Sequence, residues 1–185
     1  MISLKNKYKG QPIYIIGKGP SLQYLTREMI GEGVVITIND AIAKIEELDI
    51  PNDVYAMEKD GYYPNGINSH EPHDCSVHSI MPTRYPVLLH RHESPNCVPD
   101  YFHRIIFDNK ELGLEITDFS ALSAIKLGEL MGCDKFYLVS FDACTMGDCN
   151  VYGGSNANDE GYKDQCRRMN PLLDNLDYEW ITPSK

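Results

Sequence analysis

Basic residues are scarce in this chain of 185 residues: 17 Lys and Arg stand against 27 Asp and Glu, a formal net charge of −10. That deficit argues against a nucleic-acid surface or an anionic membrane as the main partner, because both need a basic patch. Arg167-Arg168 is a local exception. No apolar run approaches the roughly 20 residues that span a bilayer. Met1–Gly10 is polar and basic and lacks the apolar centre of a secretory signal. The six cysteines, at positions 75, 97, 133, 144, 149 and 166, form no compact framework. Reduced thiols in a cytoplasm are therefore expected. No histidine follows His103, and repeats, low-complexity tracts and linkers are all missing. What is there is 42% hydrophobic and 24% charged, the composition of a globular protein. One domain over residues 1–185 is expected, long enough to bury a core.

Short apolar runs alternate with helical patterns. Strands are expected at Pro12–Ile16, Val34–Ile38 and Asp53–Met57, since β-branched and aromatic residues fill them without polar interruption. A helix is expected over Leu22–Ile30, capped by Ser21 and stopped near Gly31. A second is expected over Ala41–Leu48, where Ile42, Ile45 and Leu48 form an apolar stripe. Residues 58 to 99 read as an irregular insert, rich in proline and holding five of the six histidines. Its one strong strand candidate is Pro86–His90. Arg104–Asp108 is another short strand. A helix capped by Thr117 or Asp118 runs to Met131 and ends at Gly132. Lys135–Phe141 is a strongly apolar strand, 142–158 a polar loop, Asp159–Leu173 a helix and Tyr178–Thr182 a last strand. This order predicts an α/β, Rossmann-like three-layer sandwich around a mostly parallel sheet.

Ligands of such sheets bind beyond the carboxyl ends of the strands. That rule selects Gly17–Ser21, Asn39-Asp40, Glu58–Asp60 and Ser140–Asp142. The first is the most specific. Strand one ends in Gly17-Lys18-Gly19-Pro20-Ser21-Leu22, where two glycines allow a tight turn with its backbone close to a ligand. Amides at the start of the following helix would favour a phosphate.

This stretch resembles the G-x-G-P-S-L signature that opens the bacterial sialyltransferases of glycosyltransferase family forty-two. The Maf-type motility-associated glycosyltransferases and the archaeal-type hydroxymethylpterin pyrophosphokinases share that signature. A second block, Thr117-Asp118-Phe119-Ser120 through Gly132 to the strand ending at Asp142, is similar to theirs. In those families a Thr-Ser-Gly turn leads a helix, followed by an A-L-G-x-K-E-I-Y-L-x-G-x-D strand. The resemblance implies a nucleotide or nucleotide-sugar ligand. It also implies contacts from Gly17, Gly19, Pro20, Ser21, Asn39, Thr117, Ser120 and Asp142. Two departures stand out. Thr117-Asp118-Phe119 replaces the Thr-Ser-Gly turn, and the late histidine that serves the sialyltransferases as general base has no counterpart. His90 and His92, after an apolar strand, are the replacement candidates for a base, since histidine titrates near neutrality.

The acidic strand ends suggest Mg²⁺, with Asp60 and Asp142 as ligands, because hard cations take carboxylate and phosphate oxygens; Asp142, with or without a metal, is the catalytic candidate that would stabilise the leaving phosphate or position the acceptor. The histidines and Cys75 of the insert contain zinc-ligand types in a spacing that fits no familiar module. Cys144 and Cys149 are read as two free thiols in a loop, with a redox pair or a metal site as the alternatives. Three functions follow. The first is a glycosyltransferase-like enzyme using a nucleotide-sugar. The second is a Mg²⁺-dependent pyrophosphokinase. The third is a non-catalytic nucleotide binder. The sequence leaves the oligomeric state open, a homo-oligomer included.

Overall fold

The computed structural model describes residues 2–58, 83–90, 103–115, 119–148 and 159–185. Among them, seven strands form one sheet: β1 (Pro12–Ile16), β2 (Val34–Ile38), β3 (Asp53–Glu58), β4 (Val87–His90), β5 (Arg104–Phe107), β6 (Lys135–Val139) and β7 (Asp177–Ile181). Their order is β5-β4-β3-β2-β1-β6-β7, and every neighbouring pair runs parallel. The expected Rossmann-like α/β architecture is thus the one observed.

The apolar runs are legible because both faces of the sheet are covered. All five residues of β2 and all four of β4 are buried. Ile15 sits in register between Ile36 of β2 and Leu138 of β6, and these three form a central rung facing one side. On that side lie α2 (Ser120–Met131) and α4 (Asp159–Leu173), through Ile125, Leu127, Met169 and Leu173. The alternate residues Tyr14, Ile16, Val35 and Ala56 face the other side. There they meet Ile42 and Ile45 of α1 (Ala41–Leu48), with Leu22 and Leu25. α2 stops where Gly132 adopts φ 82°, a left-handed cap that suits glycine.

Three expectations are corrected. Residues 22–30 do not form one helix. They split into two 3-10 turns, Pro20–Tyr24 and Arg27–Met29, with Leu25 and Thr26 extended between them. A continuous helix would point Met29 inward along the Leu22 and Leu25 stripe. The break instead buries Ile30 at 7% exposure and leaves Met29 outside at 37%. The stretch after β6 begins not as loop but as the single turn α3 (Asp142–Thr145). α2 starts at Ser120 with Phe119 at its cap position; Thr117 and Asp118 lie outside the described residues. So does nearly all of the 58–99 insert apart from 83–90.

Candidate functional site

Chain order and sheet order together define one special place. From β1 the chain works outward through β2 to β5; β6 and β7 lie on the opposite side of β1. The connection leaving β1 packs on the α1 face, through Leu22 and Leu25. The one leaving β6 packs on the α2 face, through Phe141 and Cys144. The carboxyl ends of β1 and β6 therefore flank a topological switch point, where open α/β sheets take their ligands. Gly17–Ser21 borders it on one side and Ser140–Asp142 on the other.

The two borders are bonded to each other. The Gly17 amide donates to the Val139 carbonyl and the Gly19 amide to the Ser140 carbonyl, both at 2.8 Å. Asp142 has no exposed surface, and its carboxylate accepts the Ser21 amide on one oxygen and the Ser21 hydroxyl on the other, each at 2.6 Å. These are short, charge-assisted bonds. Glycine is required by this contact. A Cβ on Gly19 would lie 2.4 Å from Oδ2 of Asp142 and 2.6 Å from the Ser140 carbonyl oxygen. A Cβ on Gly17 would lie 2.8 Å from that same oxygen. The close neighbour of the glycine turn is the protein itself.

This changes how the turn can recognise a ligand. The amides of Gly17, Gly19 and Ser21 are already donating internally, and Pro20 has none to give. Ser21 does not cap a helix either, since the following segment is a short 3-10 turn whose cap position is Gly19. The expected phosphate cradle of turn amides backed by a helix dipole is not what the turn forms. That leaves the Lys18 amide, which makes no backbone bond among the described residues, and the side chains. Lys18, between the glycines, reaches to within 3.8 Å of Asp40 across the β1–β2 gap. Lys18 is the more enclosed partner, its side chain 22% exposed against 60% for Asp40. Ser140 adopts φ 58° and Asn39 φ 48°, left-handed values that favour glycine and that cluster at functional sites when other residues hold them. The hydroxyls of Ser140 and Thr37 are buried and have no hydrogen-bond partner among the described residues.

Sequence expectations meet the structure unevenly. Gly17, Gly19, Pro20, Ser21, Asn39 and Asp142 all come to this rim. Asp142 was expected to serve a phosphate or Mg²⁺; the group brought to its carboxylate is Ser21. Among the described residues, no three His, Cys, Asp or Glu side chains converge to hold a metal ion. Asp60, His92 and Thr117 lie outside the described residues, as does the Glu58 side chain. Ser120 is buried in the first turn of α2. His90 ends β4, three strands from β1 and so about 14 Å along the sheet. It is 1% exposed, its ring stands edge-on to Phe107, and its Nε2 accepts the Asn109 amide at 3.2 Å. Asn109 in turn accepts Ser123 and donates to the Glu115 carbonyl.

Two features escaped sequence reasoning. Ser140 carries no residue-type signal for a left-handed backbone. Cys144 is not a free thiol; it is disulfide-bonded to Cys166, so reduced thiols are not what these two positions hold. Cys149 lies outside the described residues, and Cys133 is a buried free thiol.

A cavity of about 440 Å³ opens at the opposite end of the sheet, lined in part by Tyr8, Glu32, Asn52 and Asp53. Asn52, Tyr8 and Asp53 on its walls are already engaged. Asn52 donates to the Gly31 and Gly33 carbonyls, and Tyr8 bonds Asp53 and Tyr55. The switch point is the better site.

The chain is thus a Rossmann-like α/β protein with a tightly buttressed glycine turn at its switch point. No protein-family model matches it, and no curated protein matches it.

Proposed function

We propose that this protein binds a nucleotide, a nucleotide-sugar first among candidates, at the β1–β6 switch point and acts as a glycosyltransferase-like transferase. One observation carries the reading. Gly17–Ser21 and Ser140–Asp142, more than a hundred residues apart, are locked together where such folds take ligands, with Asn39 on the adjoining strand end. The sugar-nucleotide identity draws on the G-x-G-P-S-L resemblance. Lys18 is the group offered to the ligand phosphate, Asn39 to the base or ribose, and the Ser140 hydroxyl to whichever polar atom enters the crevice. Asp142 is a positioning residue that sets the glycine turn through Ser21. No base role falls to His90, whose Nε2 lone pair is taken by Asn109. His92 is the proposed base.

Mg²⁺-dependent pyrophosphoryl transfer needs converging carboxylates. Among the described residues Asp142 is directed to Ser21 and Asp40 to Lys18, which leaves that reading second. The test is a thermal-shift screen of CMP, CMP-, UDP- and GDP-sugars, ATP and GTP, with and without Mg²⁺. A ligand that binds only the folded state raises Tm by mass action. Stabilisation by a sugar nucleotide without metal is expected. A shift with ATP only when Mg²⁺ is present replaces this reading with the pyrophosphokinase. No shift with any of them removes it.

A further inference from the structure

The disulfide between Cys144 and Cys166 occupies a particular place in the fold. Cys144 belongs to α3, the single turn that begins with Asp142. Cys166 lies midway along α4, a helix anchored by Met169 and Leu173 in the core. The bond therefore runs from an anchored helix to an element too short to hold its own shape, since one helical turn is unstable alone. Other ties of α3 include the Thr145 and Thr182 hydroxyls, 3.2 Å apart, and the Asp142 carboxylate on Ser21. A continuous path of contacts links α4, the disulfide, α3, Asp142, Ser21 and the glycine turn. Both cysteines are half-buried rather than sealed in the core.

We propose that Cys144–Cys166 is a thiol–disulfide exchange site, and that a dithiol acting there sets how firmly Asp142 holds the glycine turn. This goes beyond the nucleotide reading and does not depend on it. One thiolate of the dithiol attacks the Sγ of Cys144 or Cys166. The S–S bond breaks, the departing sulfur takes a proton, and a mixed disulfide forms. The second thiolate of the dithiol then attacks its own sulfur in that mixed disulfide. It closes the reagent's disulfide and frees the second cysteine. Two electrons pass to the protein, and the two protons of the dithiol end on Cys144 and Cys166. Breaking this disulfide removes the covalent tie of α3 to α4 and leaves it held by Thr145 beside Thr182 and by Asp142 on Ser21, so that Asp142 and Ser21 can move together against the anchored helix.

Hydrogen–deuterium exchange on the full chain tests this, oxidised and after dithiothreitol, on peptides covering Gly17–Tyr24 and Val34–Ile38. Reduction is expected to accelerate exchange in the first peptide by about tenfold or more and to leave the second unchanged, the signature of local opening. The Cys144→Ala, Cys166→Ala double variant is expected to match the reduced protein in both buffers. If that variant does not fold, reduced protein with its thiols capped by iodoacetamide supplies the same comparison. Equal acceleration in both peptides would reduce the bond to a general crosslink and overturn the proposal. So would unchanged exchange in the first peptide, or a bond that dithiothreitol cannot reduce in the folded protein.

Discussion

The carboxylate of Asp142 takes two hydrogen bonds from Ser21, one from its amide and one from its hydroxyl, each 2.6 Å long. Because Asp142 is fully buried, removing either partner strands a polar group away from water. Asp142→Ala should cost about 3 kcal/mol and Ser21→Ala about 2 kcal/mol, the range for charged bonds with a buried group left unpaired. Urea unfolding of the single and double variants gives the coupling. The two losses should overlap by about 1–2 kcal/mol, whereas costs that add within about 0.5 kcal/mol would mean the pair does not act as a unit.

Gly19 is fixed by the same contact. Gly19→Ala should lower stability by about 2 kcal/mol or more, since its Cβ meets a carboxylate and a backbone carbonyl that have little room to give. Gly113 gives the comparison. It has φ 76° but open space around it, so Gly113→Ala pays for backbone strain alone, about 1 kcal/mol. Urea midpoints that rank Gly113→Ala as the more damaging would contradict the packing account.

These relationships also show what the sequence could and could not reveal. Buried parallel strands announce themselves as unbroken apolar runs, and Val34–Ile38 was legible for that reason; the expected strand Lys135–Phe141 was found two residues too long, because the chain leaves the sheet at Val139 and turns at the left-handed Ser140. The stripe of Ile42 and Ile45 made α1 legible too. The role of Asp142 was not readable. A carboxylate at a strand end fits a metal, a phosphate neighbour or a hydrogen-bonded anchor equally well. What decides is that β6 lies beside β1, a long-range fact of sheet order. Cys144 had both Cys149 and Cys166 downstream, and spacing alone cannot choose between partners. The break at Leu25-Thr26 was hidden because Leu22, Leu25 and Met29 imitate a helical stripe that the buried Ile30 overrides.

Lys18 is the cation nearest the glycines in sequence, and Asp40 is its present partner at 3.8 Å. An ion pair with so exposed a carboxylate is weak. A ligand phosphate, carrying more charge, can take Lys18 from it. On the proposed function, Lys18→Met should weaken binding of a nucleotide by about tenfold while leaving the matching nucleoside nearly unaffected. Asp40→Asn should act in the opposite direction, strengthening nucleotide binding several-fold by removing the competitor. Titration calorimetry separates the cases. If both variants bind nucleotide like the parent protein, phosphate recognition lies elsewhere in the crevice even though the nucleotide reading stands.

Cys133 makes a prediction about alkaline pH. Burial pushes its thiol up from 9.0 to about 12, with the neighbouring Asp134 carboxylate adding to the shift. In the unfolded chain this thiol gives up its proton near pH 9, while the folded protein holds it to about 12. Below pH 9 both states keep the proton and stability is at its full value. As pH rises from there towards 12 the unfolded state binds fewer protons, so stability falls, by at most about 1.4 kcal/mol per pH unit. The Tyr8 phenol is also raised, by burial and by its bonds to Tyr55 and Asp53, and it adds a loss of the same sign at higher pH. Urea midpoints measured between about pH 8 and 9.5 report chiefly the thiol, because tyrosine ordinarily ionises near 10. The parent protein should lose stability across that interval, and Cys133→Ala should lose much less. An unchanged slope in the variant would assign the alkaline loss to the tyrosines instead.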